Sequence, residues 1–347
     1  MTEVTEQPTT ESRKVDHVKI NLEKDVQFPG TTTGLEEYRF LHRAVPEIDL
    51  SDVDTSVTLF GKRLESPLLI SSMTGGAELA YKLNRNLAYA AQKYRIAMGV
   101  GSQRAALEDE KLAFTFQIRQ FAPDILLFAN VGAVQLNYGY GAEQMQRAVD
   151  MLEADALILH FNVLQEAVQP EGDTNFSGLL KKIEAVTKVL NVPIIAKEVG
   201  WGFSPQDVKG LVNVGVKAID VAGSGGTSWS EVEYHRAPTA FHARVARAFA
   251  DWGIPTADAI LYAQEAAPDV PIIASGGLRD GIDVAKSIAL GALIGGMAGP
   301  FLKTANESQE AVEQFIEETL TQIKIAMLCS GSATIAELQK TPLLKIS

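Results

Sequence analysis

The chain has 347 residues, with 31 Lys or Arg against 43 Asp or Glu, so its formal net charge at pH 7 is −12. Hydrophobic residues make up 46% and charged residues 21%, which excludes a disordered chain and a nucleic-acid binder that relies on neutralising phosphates. The single cysteine, Cys329, excludes an internal disulfide and a cysteine-based zinc or iron–sulfur site, and it suits a cytoplasmic protein.

The N-terminal region is predicted to be an extension that precedes the main fold. Residues 1–12 are polar and lack the apolar core of a signal peptide, so we expect a flexible tail there. Arg13, Lys14, His17 and Lys19 form a basic cluster in an acidic chain. This cluster is either a solvated charge run or an arm that folds over a site and holds an anion.

A β-hairpin is predicted over 56–64, with its turn at Gly61 and Lys62. The longest charge-free stretch, Ser287–Leu302, is shorter than the ~20 residues of a transmembrane helix, so no membrane span is predicted. The expected divisions are a tail over 1–12, an extension with basic arm and hairpin over 13–66, one barrel domain over 67–330, and a C-terminal tail over 331–347.

Eight short apolar runs follow the hairpin, and they lack the alternation of a half-exposed strand, so they predict parallel strands buried on both faces. The runs are Leu68–Ser71, Ile96–Val100, Ile125–Asn130, Ala156–His160, Pro193–Glu198, Ala218–Val221, Pro271–Ser275 and Leu293–Met297. Helical patterns separate or follow them over Glu78–Tyr94, Asp109–Gln120, Ala142–Glu153, Ser177–Leu190, Pro205–Val212, Thr256–Ala266, Gly281–Ala289 and about Glu307–Leu328.

Eight β/α units in series predict an α/β protein with a single (β/α)₈ (TIM) barrel. A doubly wound open sheet is the alternative. That fold usually carries a dinucleotide fingerprint, and the closest candidate has Arg104 where its third glycine belongs. In a barrel, the polar residues that end the strands converge on one mouth.

The glycine-rich ends of the last two strands predict a phosphate site. Barrels often bind phosphate there through backbone N–H groups, and Gly276, Gly277 and Arg279 suit this role. Ordinary turn chemistry would also explain either glycine pair alone. With both loops glycine-rich, we favour the phosphate site.

Four further residues have a structural and a functional interpretation each. Lys197 ends an apolar strand, where it either pairs with Glu198 or points inward as a catalytic or cofactor contact. Glu166 is a Mg²⁺ ligand or an exposed loop carboxylate. His160 is a site residue or a core histidine, and Trp229 is a lid over an apolar substrate or a loop anchor.

Taken together, the strand ends resemble the type 2, FMN-dependent isopentenyl-diphosphate isomerases from Arg13 to about Leu328. The motifs that carry the resemblance are RKVDH at Arg13, MTGG at Met73, GSQR at Gly101, NVGA at Asn130, HFNVLQE at His160, KEVGWG at Lys197, DVAGSGGTSW at Asp220, SGGLRDG at Ser275 and GMAGPFL at Gly296. Each motif is weak alone, but the ordered series is specific.

The resemblance implies isopentenyl and dimethylallyl diphosphate as substrate and product, with reduced FMN, Mg²⁺ and NADPH as cofactors. It places FMN contacts on Met73, Thr74, Gly75, Ser102, Asn130, Lys197, Ser224, Thr227, Gly276, Gly277, Arg279, Ala298 and Gly299. It places substrate contacts on Arg13, Lys14, Gln103, Arg104, His160, Asn162 and Gln165, catalytic roles on His160, Gln165, Lys197 and Trp229, and the metal on Glu166.

The same resemblance implies a homotetramer or homooctamer in isoprenoid biosynthesis. None of the strand-end side chains is an obvious acid for an alkene, so the reduced flavin would supply and recover the proton. Lys197 would stabilise negative charge on its ring. Two alternatives remain: a flavin oxidase of 2-hydroxy acids, which would want a histidine base and paired arginines, and a non-catalytic barrel that binds a phosphate ligand.

Overall fold

The computed structural model describes residues 10–346 of the chain, and the side chains of 16–346. The predicted flexible tail lies outside the described residues over 1–9, whereas Thr10–Ser12 already belong to the first helix. Arg13 and Lys14 lie in this helix, and their side chains fall outside the described part.

The strands are β1 (Tyr38–Phe40), β2 (Val57–Leu59), β3 (Lys62–Leu64), β4 (Leu68–Ile70), β5 (Ala97–Gly99), β6 (Leu127–Gly132), β7 (Ala156–Phe161), β8 (Ile194–Glu198), β9 (Ala218–Asp220), β10 (Ile272–Ala274), β11 (Ile294–Met297) and β12 (Leu343–Lys345). The α-helices are α1 (Thr10–Glu23), α2 (Glu78–Tyr94), α3 (Arg104–Glu108), α4 (Ala142–Leu152), α5 (Val163–Val168), α6 (Leu179–Thr187), α7 (Pro205–Asn213), α8 (Trp229–Arg236), α9 (Ala240–Arg247), α10 (Thr256–Ala266), α11 (Gly281–Ala289), α12 (Gly299–Glu307), α13 (Gln309–Ser330) and α14 (Ile335–Leu338). Short 3₁₀ helices lie at Leu35–Glu37, Leu50–Asp52, Glu110–Phe116, Arg119–Phe121 and Ala133–Asn137.

Strands β4 to β11 form a closed parallel barrel, which confirms the predicted fold. Each of the eight apolar runs forms one barrel strand, with ends displaced by two residues or fewer. Closure comes from β11 on β4, where Gly295 pairs with Leu68 and Met297 with Ile70. The strands are apolar along almost their whole length because helices cover them outside and side chains fill the barrel inside.

Most predicted helices are present, and α2, α10 and α11 have the predicted bounds. The pattern over Asp109–Gln120 was expected to be one helix and instead forms two 3₁₀ helices. The Asp109 side chain accepts from the Lys111 amide at 3.0 Å and so caps the first of these two helices. The predicted last helix, about Glu307–Leu328, is α13, which begins and ends two residues later, and Ser308 Oγ caps it by accepting from the Ala311 amide at 3.1 Å. Helix α12, which precedes it, was not predicted.

The extension and the C-terminal segment pack on the barrel. The predicted hairpin is β2–β3, with its turn one residue earlier than expected, at Phe60 and Gly61, whose φ angles of 48° and 79° suit a tight hairpin turn. The predicted C-terminal tail is structured, since it contains α14 and β12, and β12 pairs antiparallel with β1. Within residues 10–346, none of the helices combines the length and the apolar composition needed to cross a bilayer.

Candidate active site

A cavity of about 860 Å³ opens at the carboxyl ends of the barrel strands. Helix α1 forms one wall of it, through residues such as His17 and Asn21. The predicted site residues on the cavity wall are Met73, Thr74, Ser102, Arg104, Asn130, His160, Asn162, Gln165, Glu166, Lys197, Thr227, Trp229, Gly276, Gly277, Arg279, Ala298 and Gly299. The fold therefore gathers these side chains at one place.

Three predicted contacts do not line this cavity: Gly75, Gln103 and Ser224. Gln103 is fully buried, and its amide group donates to the Ala148 carbonyl at 2.8 Å and accepts from the Asn130 amide at 2.9 Å. Gln103 thus links β6 to α4 and does not line the cavity. We therefore leave it out of the proposed substrate contacts.

The loops after β9 and β10 form a backbone cradle. A Cβ on Gly277, whose φ is +77°, would lie 2.6 Å from the Gly225 carbonyl oxygen, and one on Gly226 would lie 2.5 Å from the Gly277 nitrogen. Helix α12 begins at Gly299, where a Cβ would meet nothing within 4 Å. Ala298 and Gly299 line the same cavity as the cradle, so the start of α12 borders open space there, an arrangement that suits a phosphate.

Replacing Gly277 by Ala should weaken flavin binding about tenfold or more, because the added Cβ pushes the cradle apart. Gly61→Ala is the matched control, since Gly61 has a similar φ of +79° with open space around its Cβ position. FMN dissociation constants, measured by fluorescence quenching, test this. Equal FMN affinity in both variants would remove the cradle from the proposed phosphate site.

Buried hydroxyl groups lie at the end of β4, without hydrogen-bond partners in the described part of the chain. The side-chain oxygens of Ser71, Ser72 and Thr74 are buried, make no hydrogen bond within the described residues, and belong to residues that line the cavity. Buried polar atoms are normally paired, so a ligand with several polar atoms would explain them. Together with the phosphate cradle, these hydroxyls fit FMN.

Lys197, at the end of β8, points into the cavity as predicted. Its Nζ donates to the Glu198 carbonyl oxygen at 2.8 Å and lies 3.8 Å from Asp220 Oδ2. Burial raises the pKa of Asp220, opposed by the Lys197 charge and by Ser275 Oγ, which donates to Asp220 Oδ1 at 2.5 Å. Lys197 is therefore a buried cation fixed by a buried carboxyl group.

Glu198 points away from Lys197, as adjacent strand residues do. One carboxylate oxygen accepts from four successive backbone amides, those of residues 199–202, at 2.5–3.2 Å. Burial raises the pKa of this carboxyl group to about 7, and these hydrogen bonds act in the opposite direction. Glu198 thereby fixes the loop that follows β8.

His160 is oriented by Asn130. Asn130 Nδ2 donates to the Val100 carbonyl at 3.1 Å, which turns its Oδ1 toward His160 Nδ1 at 2.7 Å. An amide oxygen only accepts, so the proton of a neutral His160 ring resides on Nδ1. Nε2 of a neutral ring is then an acceptor.

Glu166 lies on the cavity wall, and each of its carboxylate oxygens accepts a hydrogen bond from the protein. Oε1 accepts from Asn162 Nδ2 at 2.8 Å, and Oε2 accepts from the Asp173 amide at 2.6 Å. Burial raises the pKa of Glu166, and the Asp173 charge acts in the same direction. Asp173 also accepts from Arg104 at 2.7 Å and from Gln135 at 3.0 Å.

The residues around Glu166 fit a magnesium ion that arrives with an anionic ligand. Within residues 16–346, no cluster of three or more His, Cys, Asp or Glu side chains could hold a metal alone. Mg²⁺ commonly takes one or two carboxylates, with phosphates and waters completing its shell. Asn162 Oδ1 is buried at the cavity wall without a hydrogen-bond partner in the described chain, and it offers a second oxygen beside Glu166.

The sequence analysis missed Glu233 on α8, which joins three elements. Its carboxylate accepts from Gln165, Gln169 and Arg236, and it pairs with His17 on α1 at 3.1 Å. Burial acts to raise the pKa of Glu233, but the bond and charge of His17 and the charge of Arg236 outweigh it, so the pKa falls to about 2. The spacing of Glu233 and Arg236, one helical turn apart, was the available signal.

Glu233→Gln should flatten the loss of stability in acid. The carboxylate of Glu233 is favoured in the folded state, so its contribution is full above the unfolded pKa of 4.5 and is lost as the pH falls toward 2. Between pH 6 and pH 3 the wild type should lose about 2 kcal/mol more than the variant. Urea unfolding at both pH values measures this difference, and parallel losses would contradict it.

Helix α1 lies against the mouth, as expected of an arm. The ring of His17 packs edge-on against Trp229, with centroids 5.2 Å apart. Trp229 thus joins the arm to the start of α8. The arm interpretation of the basic cluster is consistent with this placement, although the Arg13 and Lys14 side chains lie outside the described residues.

Comparison with known proteins gives two independent findings. The chain matches the FMN-dependent dehydrogenase family over residues 7–120 and 140–345. It is also similar to proteins named isopentenyl-diphosphate delta-isomerase from Nostoc sp. (57% identical, 95% of this chain and 94% of the relative), Rickettsia bellii (52%, covering 95% and 96%) and Synechocystis sp. (53%, covering 96% of both).

Solved structures of mandelate oxidase share the fold. One with an FMN adduct has a TM-score of 0.66 at 19% identity, covering 97% of this chain and 93% of that chain. Another, with (S)-2-phenylpropionate, has a TM-score of 0.66 at 18% identity, covering 95% and 94%. At such identities the likeness is evidence for the barrel alone.

Proposed function

Because the chain belongs to the isopentenyl-diphosphate delta-isomerase family and to the broader FMN-dependent dehydrogenase family, we propose that it interconverts isopentenyl and dimethylallyl diphosphate with FMN as its cofactor. One observation carries this proposal. The relatives named isopentenyl-diphosphate delta-isomerase are 50–57% identical to this chain over about 95% of its length, and the residues predicted for that activity line one cavity.

We place the flavin phosphate in the cradle formed by Gly276, Gly277 and the start of α12, with Arg279 beside it. The supporting geometry is the close approach of the two loops and the open space at Gly299. The ring would then lie across the strand ends, where Thr74, Asn130 and Lys197 face the cavity. Thr227 and Met73 also line this side of the cavity.

We place the diphosphate at the opposite part of the wall, between Arg104, Asn162 and Glu166. Arg104 offers a guanidinium, and Glu166 with the Asn162 oxygen offers ligands for Mg²⁺, which would neutralise the diphosphate charge. Arg13 and Lys14 of α1 would add positive charge. The family relation and the unpartnered Asn162 oxygen support this assignment.

Isomerisation requires one proton to be added to an unactivated alkene and another to be removed two carbons away. Reduced FMN, when bound, would supply an acid and base for this exchange. The cation of Lys197 would stabilise negative charge on the edge of the flavin ring. Trp229 would exclude water and offer its π face to positive charge on the isoprenyl group. His160 and Gln165 would orient the substrate by hydrogen bonds.

We further propose NADPH as the source of reduced flavin, a homotetramer or homooctamer as the assembly, and the cytoplasm as the compartment. Family membership supports the first two, and the single cysteine supports the third. Sedimentation of the FMN-loaded protein measures the assembly. Reduction of bound FMN by NADPH is read at the flavin absorbance band.

The decisive test uses anaerobically reduced, FMN-loaded protein with isopentenyl diphosphate and Mg²⁺. We expect dimethylallyl diphosphate by NMR without net oxidation of the flavin. The competing activity is oxidation of a 2-hydroxy acid by a flavin bound in the same kind of barrel. Oxygen consumption with lactate or mandelate, and no allylic product, would replace the isomerase assignment. A colourless protein that binds only phosphate would favour a non-catalytic barrel.

A further inference from the structure

The Lys197 ammonium group is held by a backbone carbonyl as well as by its counter-ion. Its Nζ donates to the Glu198 carbonyl oxygen at 2.8 Å, whereas Asp220 Oδ2 lies 3.8 Å away, beyond the usual length of a hydrogen bond. Of these two contacts, the carbonyl is the one short enough to fix the direction of the ammonium. The Lys197 side chain is 10% exposed, and the residue lines the cavity.

The carbonyl that receives this ammonium belongs to the peptide group between Glu198 and Val199. The N–H of the same peptide group donates to Glu198 Oε2 at 2.7 Å. A peptide group is planar, and in the trans form, as here, its C=O and N–H point in opposite directions. The carboxylate and the ammonium therefore hold one peptide plane from its two sides. A turn of that plane would break both hydrogen bonds together.

The Glu198 carboxylate also holds the part of the loop that comes directly after this peptide. The Gly200 amide donates to Glu198 Oε2 at 2.7 Å, and both Val199 and Gly200 line the cavity. The far end of the loop has a second anchor, since the Gly202 amide also donates to the Ala222 carbonyl at 3.1 Å. Removal of the Glu198 acceptor should therefore loosen the near end of the loop, which is the end that contacts Lys197.

We propose that Glu198 is a positioning residue for Lys197: by fixing the peptide that receives the ammonium, it directs this charge at the bound flavin and favours reduced FMN over oxidised FMN. A fixed cation binds the more electron-rich form of a cofactor more tightly. The inference rests on the proposed FMN site, and it deepens the proposed function by naming what orients the buried cation there.

The two properties of the Glu198 side chain act on the flavin in opposite directions. Its negative charge disfavours added electrons, so removal of the charge alone should raise the midpoint potential of bound FMN. Its acceptor oxygen holds the peptide and, through it, the ammonium, so removal of the acceptor should lower that potential. The sign of the change therefore separates positioning from a direct effect of the charge.

The test measures the two-electron midpoint potential of FMN bound to the full chain, together with the dissociation constant of oxidised FMN. Glu198→Met, which removes the acceptor at similar size, should weaken binding of reduced FMN about tenfold more than binding of oxidised FMN. This lowers the midpoint potential by about 30 mV. Glu198→Gln keeps an oxygen that accepts from the loop amides and removes the charge, so its midpoint potential should equal or exceed that of the wild type.

Asp155→Leu is the matched control for loss of a carboxylate that holds backbone. Asp155 Oδ2 accepts from the Leu127 amide at 2.9 Å, and Asp155 precedes β7 and is not among the residues that line the cavity. Its removal should destabilise the fold and leave the midpoint potential of bound FMN unchanged.

A double substitution tests whether Glu198 acts through Lys197. In a Lys197→Met background there is no ammonium to direct, so adding Glu198→Met should change the affinity ratio of the two flavin forms less than twofold. A further fall in the double variant overturns the inference. So does an unchanged midpoint potential in Glu198→Met, which equal weakening of both flavin forms would give, or a potential in Glu198→Gln as low as in Glu198→Met.

Two further outcomes are distinguishable. If Glu198→Met yields no flavin-loaded protein, Glu198→Asp, whose carboxylate is drawn back from the loop amides by one methylene, is read by the same criteria. Wild-type protein that binds no FMN would instead overturn the proposed function.

Discussion

Replacing Glu166 by Gln is expected to lower the turnover of isopentenyl diphosphate by a factor of about 10²–10³ at saturating Mg²⁺, with FMN still bound. The amide of a Gln is neutral, so it would not supply the negative charge that a divalent cation prefers. Glu166 is a buried carboxylate on the wall opposite the cradle proposed for the flavin phosphate, and its two oxygens already accept hydrogen bonds from Asn162 and Asp173. The measurement is a Mg²⁺ titration of the initial rate.

Glu110→Gln is a suitable control for this change, because it removes an exposed carboxylate that is not among the residues lining the cavity. Its Mg²⁺ dependence should match that of the wild type. A Glu166→Gln variant with an unaltered Mg²⁺ dependence would show that the cation, if used, is held elsewhere.

Lys197→Met should reduce turnover by about 10³-fold, since it removes the buried cation that faces the proposed flavin ring. It should also destabilise the fold by about 3 kcal/mol, because Asp220 loses its counter-charge.

The pKa of Asp220 is already raised by burial. In the variant it should rise further, so the folded state would bind a proton that the unfolded state releases, and the variant's stability should fall as the pH rises above about 4.

Combining Lys197→Met with Asp220→Asn separates the two effects. The double variant should regain stability and lose its pH dependence, while turnover stays low. Unfolding by urea at pH 5 and pH 7, together with the NMR assay, measures both. Recovery of turnover in the double variant would reduce Lys197 to a partner of Asp220.

The barrel could be predicted from the sequence because eight uninterrupted apolar runs leave few other folds. Helix ends were harder, since they depend on single side chains. Ser308 starts α13 two residues after the predicted start by its hydroxyl cap, and Asp109 caps a 3₁₀ helix where an α-helix was predicted. Neither cap alters the hydrophobic period that the prediction used. The paired strand β12 was missed because its partner, β1, lies at the other end of the sequence.

The site was predictable where strands end, because the barrel brings those ends together. Beyond the strand, the direction of a side chain depends on loop packing. For this reason Gln103 bonds to the backbone of β6 and α4 and does not line the cavity. Glu233 and Arg236 lie within α8, beyond the loop that follows β9, so no strand-end rule applies to them. Their role became visible only from the distances between α8, α5 and α1.

Closure of the ring has a consequence for synthesis on the ribosome. Strand β4 is the first barrel strand made, and the partner for its outer edge, β11, is the last. Until β11 emerges, the backbone of Leu68, Leu69 and Ile70 offers an unpaired apolar edge, the kind of surface that recruits other chains. We therefore expect the nascent protein to need chaperone shielding along most of its elongation, and a ribosome stalled before β11 to yield aggregation-prone chains.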